Sequence, residues 1–169
     1  GKLDSLKICT DKKIFFKNRN KKILIKYDFS KNLFPRLLEM GWPMYAQAIN
    51  GVWFDVGSPQ ELIRAQNVLI QRRKELPFPL PDGSRIEHGS FFHPTAEVSE
   101  DSNVEESVVA QNAFVGPNSV LVNCVLMNGS RVEEGAQLEN CILSPGAIVS
   151  ANVSAADVIL GDGERLKNN

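Results

Sequence analysis

Four groups of side chains in this sequence are of kinds that do chemistry. The first is Asp55, set in Gly51-Val52-Trp53-Phe54-Asp55-Val56-Gly57, just ahead of a helix start. A carboxylate is a hard oxygen ligand suited to Mg²⁺, which neutralises phosphates during attack at phosphorus. The second is the pair His88 and His93, the only histidines, each a candidate general base. The third is Cys124 and Cys141, a redox pair or, as we prefer, two free thiols serving as small core residues. The three cysteines form no CxxC pair and have no His at ligand spacing, which speaks against zinc or a disulfide scaffold and for a reducing compartment. The fourth is the basic run 1–26, nine Lys and Arg against Asp4 and Asp11. Such a run suits phosphate or nucleic acid, but it is more often only a solvated terminus, and no nucleic-acid partner is expected.

These residues need elements to position them. With 169 residues, 43% hydrophobic and 23% charged, the chain is a soluble globular protein of one domain or two small ones. No apolar run approaches the roughly 20 residues that span a bilayer, and the N-terminus lacks a signal-peptide core. No membrane partner is expected, and the expected location is cytoplasmic.

From Val98 the chain falls into four rows of 17: Val98–Phe114, Val115–Arg131, Val132–Ile148 and Val149–Arg165. The first column is Val98, Val115, Val132 and Val149, and the fifth is Ser102, Ser119, Ala136 and Val153. Val104, Leu121, Leu138 and Ala155 share the seventh column. The eleventh and twelfth are aliphatic throughout, from Val108-Val109 to Ile159-Leu160, and Gly129, Gly146 and Gly163 share the fifteenth. Each row divides into steps of six, six and five, which predicts three short strands per coil and stacked coils. Stacking puts equivalent side chains about 4.8 Å apart, so each column must tolerate copies of itself. Gly, Asn and Asp at the bends accept positive φ. Phe114 is the only aromatic in these rows, as a narrow prism requires.

Upstream, Ser58-Pro59-Gln60-Glu61 is a helix start with a capping box, for a helix ending near Arg72-Arg73-Lys74. A shorter helix follows Asn32, with Pro35 in its first turn and Gly41 as its stop. Strands are predicted at Met44–Ile49 and Val52–Val56, and a hairpin from Lys13–Phe16 and Lys22–Lys26. Residues 76–83, Leu-Pro-Phe-Pro-Leu-Pro-Asp-Gly, are a stiff extended connector. The expected division is therefore 1–75 as one domain, 76–95 as linker and lead-in turn, and 96–169 as the solenoid.

Three stretches carry a resemblance: Asp28-Phe29-Ser30-Lys31-Asn32-Leu33-Phe34-Pro35-Arg36-Leu37-Leu38, then Gly51 to Glu61, then Ala65-Gln66-Asn67. In this order, with hexapeptide-like coils behind them, they resemble the closing portion of sugar-phosphate nucleotidyltransferases. That group includes mannose-1-phosphate guanylyltransferases and glucose-1-phosphate nucleotidyltransferases. The resemblance spans about Asp28 to Gly163. It implies an α/β remnant of a nucleotidyltransferase domain in 1–75, followed by a left-handed parallel β-helix of about four 17-residue coils. The implied reaction joins a nucleoside triphosphate to a hexose 1-phosphate and releases pyrophosphate, as in NDP-sugar biosynthesis. Within it, Asp55 takes the place of an aspartate that helps hold the catalytic Mg²⁺.

The family's glycine-rich phosphate loop, the Lys and Arg of that loop and its second metal aspartate have no counterpart in these residues. The expectation is therefore no catalytic and no cofactor-binding residue beyond the metal ligand Asp55. Nucleotide and sugar phosphate would bind only if a nucleotide-binding half were supplied. This chain alone would be inert, as a truncated product, a fragment or half of a split enzyme. Stacked aliphatic faces predict a homo-oligomer built through the β-helix, which would serve assembly or regulation. The alternatives are a hexapeptide-repeat acyltransferase using His93 as base, or a non-catalytic oligomerisation module.

Overall fold

The computed structural model describes residues 28–168 and, ahead of them, the backbone of two strands, Ile14–Asn18 (β1) and Lys21–Ile25 (β2). These pair antiparallel, with Ile14 opposite Ile25 and Asn18 opposite Lys21, as the hairpin reading predicts. The rest of the basic run lies outside the described residues. The chain forms two compact units, Gly1–Asn50 and Gly51–Asn169. The connector and the helix before it thus belong to the same unit as the solenoid.

In the first unit, Asp28 builds its own turn. Its carboxylate accepts from the Lys31 N–H at 2.9 Å, and the Asn32 side chain accepts from the Asp28 N–H at 2.9 Å. A π-helical turn, Phe29–Leu33, runs into the α-helix Phe34–Glu39 (α1), with Pro35 in its first turn. Gly41, at φ +67°, stops it. The segment after α1 departs from expectation. Neither Met44–Ile49 nor Val52–Val56 forms a strand. Alternating apolar residues make a strand only where a neighbouring edge accepts the ladder, and no described strand pairs with either segment. Both lie outside any regular element, and Tyr45, Ile49 and Trp53 are exposed.

The second unit begins with helix Pro59–Gln71 (α2). Ser58 Oγ accepts from the Glu61 N–H at 3.2 Å, the expected cap. The return half of the capping box is not made, because the Glu61 carboxylate turns to Arg64 at 3.4 Å. Strand Arg85–Glu87 (β3) then pairs antiparallel with Ser90–Phe92 (β4), and β4 runs parallel to Val108–Val109. The solenoid's hydrogen bonding therefore starts inside the stretch read as linker, with Phe91 and Phe92 in the eleventh and twelfth columns.

From β4 onward the chain winds into a left-handed parallel β-helix of about four coils with three faces. The first face stacks β4, Val108–Val109, Val125–Leu126, Ile142–Leu143 and Ile159–Leu160. The second stacks Glu97–Val98, Phe114–Val115, Arg131–Val132, Ile148–Val149 and Arg165–Leu166. The third stacks Asn103–Glu105, Val120–Val122, Gln137–Glu139 and Ser154–Ala156. Val98, Val115, Val132 and Val149 are direct register partners, so the first column is a true ladder. With the seventh and twelfth columns it fills the interior, where Leu121, Leu126 and Val132 are wholly buried. Phe92, 5% exposed, is the one aromatic of the buried cluster among the described residues, on the first rung. Phe114 points outward under the Arg131 guanidinium, 4.2 Å from the ring centroid.

Each coil turns three corners, and left-handed backbone recurs at each: Asn118, Gly135 and Asn152; Glu106, Asn123, Asn140 and Asp157; Asn112, Gly129, Gly146 and Gly163. At Gly135 φ is +69° and an added Cβ would lie 2.5 Å from Asn152 Oδ1, so a side chain there would be strained and would displace the Asn152 amide.

Candidate functional site

The eleventh column explains how Asp55 is held. On a two-residue strand the twelfth residue points inward and the eleventh outward, so an aliphatic pair implies that both faces are covered. The outer cover is α2. Ile63 packs on Val125 and Ile142, with Leu62 and Met127 beside them. A second tie is polar, Asn67 Nδ2 donating to Asn123 Oδ1 at 2.8 Å. Hence α2 is riveted to the solenoid wall, and Asp55 lies three residues before its cap. The Gly57 N–H donates to the Asp55 carbonyl at 2.8 Å, a tight bend that turns the chain into the helix. Phe54 is held from the helix side by Arg64, whose guanidinium carbon lies 5.8 Å from the ring centroid.

The Asp55 side chain is exposed and has no hydrogen-bond or ion-pair partner among the described residues. No group of three or more His, Cys, Asp or Glu among the described residues converges as a metal cage. The protein therefore offers one carboxylate here. That suits Mg²⁺ only where phosphates and water complete the shell, the usual arrangement for that ion. Asp28 falls in the other compact unit and is used locally as a cap.

His88 is exposed at φ +48°, in the turn between β3 and β4. His93 is half-buried, and its Nδ1 accepts from the Thr95 N–H at 3.2 Å with the Thr95 hydroxyl 3.0 Å away. The Thr95 hydroxyl oxygen in turn accepts from the Asn112 N–H of the next coil at 3.0 Å. With Nδ1 so engaged, the neutral ring carries its proton on Nε2. The His93 ring thus ties the lead-in turn to the first full coil.

Cys124 and Cys141 are free and buried, and they continue a column that starts with Ser90 and Ser107. Ser90 Oγ accepts from the Ser107 N–H at 3.0 Å, and Ser107 Oγ accepts from the Cys124 N–H at 2.9 Å. Each cysteine thiol faces carbonyls instead: Val122 O at 3.3 Å from Cys124 Sγ, Glu139 O at 3.2 Å from Cys141 Sγ. The hydrogen bond to Cys141, together with burial, pushes the Cys124 thiol up. A thiol held protonated among carbonyl oxygens is structural.

Sequence reasoning did not single out the ninth column, Glu106, Asn123, Asn140 and Asp157. These line a groove of about 390 Å³ against the polar edge of α2. The signal was present: one polar side chain per row in the ninth column, whereas at the fifteenth-column bend three of the four rows use glycine.

The geometry defines a class, and comparison with known proteins agrees with it. Residues 90–158 match the family model described as GlmU-like, C-terminal hexapeptide, and this part of the chain is a hexapeptide-repeat β-helix. At low identity the chain is related to glucose-1-phosphate adenylyltransferases. That of Clostridium kluyveri is 27% identical over 114 residues, covering 59% of this chain and 30% of that protein. That of Clostridium perfringens (strain SM101 / Type A) is 27% identical over 120 residues, covering 63% and 31%. The chain thus spans under a third of the length of these relatives. Among solved structures, perosamine N-acetyltransferase from Caulobacter crescentus superposes with a TM-score of 0.43 at 20% identity, covering 80% of this chain and 66% of that one.

Proposed function

We propose that this chain is the C-terminal portion of a hexose-1-phosphate nucleotidyltransferase, the enzyme class that makes an NDP-sugar and pyrophosphate from a nucleoside triphosphate and a sugar 1-phosphate. The observation that carries this reading is the extent of the adenylyltransferase likeness. Coverage of 59% of 169 residues is about 100 residues, more than the 82 from Arg85 to Leu166. The likeness therefore reaches beyond the coils, whereas a bare hexapeptide module would share the coils alone.

In this reading the β-helix is a rigid pedestal, α2 fastens the motif segment to it, and Asp55 faces outward to meet the nucleotide-binding half. Asp55 contributes one carboxylate oxygen to a Mg²⁺ whose other ligands are phosphate oxygens and water. The ion supplies charge neutralisation and orientation of the phosphates. Without positioned cations around the triphosphate this chain does not catalyse the transfer. Self-association through an exposed face of the coils completes the proposal. Sedimentation of the purified chain at micromolar concentration is expected to give a species larger than the monomer.

The test is pyrophosphate release. The chain, joined to whatever reading frame precedes Gly1, is assayed with each nucleoside triphosphate and with glucose or mannose 1-phosphate. Release is expected from the joined product and not from residues 1–169, with a fall of about 100-fold or more on Asp55→Asn. Acyl transfer from a coenzyme A thioester, lost on His93→Ala, would overturn the proposal in favour of the acyltransferase alternative.

A further inference from the structure

The three corners of the β-helix have the same backbone but different side chains. One is mostly glycine, at 129, 146 and 163, and a second includes Gly135. The third, beside α2, opens on Gly89 at +72° and then keeps a polar side chain on its next four rungs, all at positive φ: Glu106 +46°, Asn123 +54°, Asn140 +52° and Asp157 +57°. Glycine would be easier for the backbone at each position. Glu106 is the least expected, since a long side chain rarely sits at positive φ.

Opposite this ladder, Gln60, Arg64 and Asn67 follow at i, i+4 and i+7 along one edge of α2. The two rows enclose the groove of about 390 Å³, with Ile63 and Ile159 supplying apolar wall. That volume lies in the range of small-molecule sites. Asn67 and Asn123 close on each other, whereas the side chains of Gln60, Asn140 and Asp157 make no hydrogen bond within the described residues. Groups on the ladder repeat at about 4.8 Å, the spacing of successive coils, so they can meet successive polar groups of one ligand. Two carboxylates, Glu106 and Asp157, outweigh the one guanidinium of Arg64, so the groove opposes phosphates and carboxylates. Side-chain amides and carboxylates beside apolar wall match a ligand whose hydroxyls each donate and accept while its ring presents C–H.

We propose that the groove between α2 and the Glu106–Asn123–Asn140–Asp157 corner is a binding site for a neutral polyhydroxylated ligand, the end of an oligosaccharide. Asn140 and Asp157 make the main polar contacts, Arg64 and Gln60 close from the helix side, and Ile159 lies under the ring. The site does not depend on nucleotidyl transfer, so it stands or falls apart from that reading.

The test is calorimetric titration of the intact chain with uncharged trisaccharides (maltotriose, cellotriose and mannotriose), with inorganic phosphate and tetra-alanine as contrasting probes. Asn140→Gly and Asp157→Gly remove the side chains while keeping the left-handed backbone, so both variants should fold, which melting curves check. Saturable binding of at least one trisaccharide is expected, weakened at least tenfold by either variant. The matched changes Asn112→Gly and Asn152→Gly, at the other two corners, are expected to leave it unchanged. The proposal is overturned by no trisaccharide binding up to about 10 mM, by binding that all four variants leave intact, or by phosphate or peptide occupying the groove in preference to sugar.

Discussion

Residues 85–166 and residues 42–57 both carry strand-like sequence, yet only the first is folded onto itself. In the coils each strand finds its register partner 17 residues away, as Val108 does in Val125, with the Val108 N–H donating to Cys124 O at 2.9 Å. Inward side chains meet copies of themselves one turn up and down, and Val109, Leu126 and Leu143 are buried in consequence. Between Trp42 and Gly57 there is no described ladder, and Trp42, Met44, Tyr45, Ile49, Trp53 and Val56 are exposed. Exposed apolar side chains at this density along the sequence mark a segment made to be covered. A repeat carries its own partner, whereas a single pass of strand-like sequence has to be given one.

The largest effect that would break this comparison is in the prism. Leu126→Ala, at a fully buried position, is expected to cost about 2–5 kcal/mol, read from the denaturant midpoint. Trp53→Ala, at a side chain 72% exposed, is expected to stay within about 0.5 kcal/mol. Equal losses would mean that 42–57 is packed after all. Next comes Ile63→Ala, which undercuts the contact of α2 with Val125 and Ile142. A cost of about 2 kcal/mol or more is expected, with faster hydrogen exchange in α2 than in the coils. Ser58→Ala removes the cap and should cost about 1 kcal/mol, leaving the coils unchanged by circular dichroism.

The smallest effect concerns the thiols. Because the Cys124 pKa is raised in the folded state, the native chain holds that proton at pH values where the unfolded chain has lost it. Stability from this group is therefore complete below the ordinary thiol value, about 8.5, and declines as pH rises above it, offset in part by Cys141, whose thiol the same contact lowers to about 7. Cys124→Ser should abolish that alkaline decline with little other change, since Ser90 and Ser107 already occupy the same column. An unchanged pH profile in the serine variant would remove Cys124 from the account.

How much was legible depends on the same contrast. Column agreement among Val98, Val115, Val132 and Val149 specified register outright, because a ladder of identical side chains leaves no freedom to slip. The start of the coils was read late, at 96, because Phe91 and Phe92 occupy aliphatic columns with aromatic residues. Val52, Phe54 and Val56 alternate as a strand should, but alternation reports a preferred face and says nothing about whether an edge exists to pair with. The cap at Ser58 was readable because it is local, whereas the Asn67–Asn123 tie joins residues 56 apart and left no local trace. Asp55 is singled out by the surrounding motif alone, and its side chain has no hydrogen-bond or ion-pair partner among the described residues.

Amide hydrogen exchange across residues 44–56 tests the central claim most directly, measured on this chain and on the product extended upstream of Gly1. The account predicts exchange close to that of an unstructured peptide in this chain, with strong protection across 98–160, and protection of 44–56 appearing only in the extended product. Protection of 44–56 equal to that of the coils in this chain alone would contradict it.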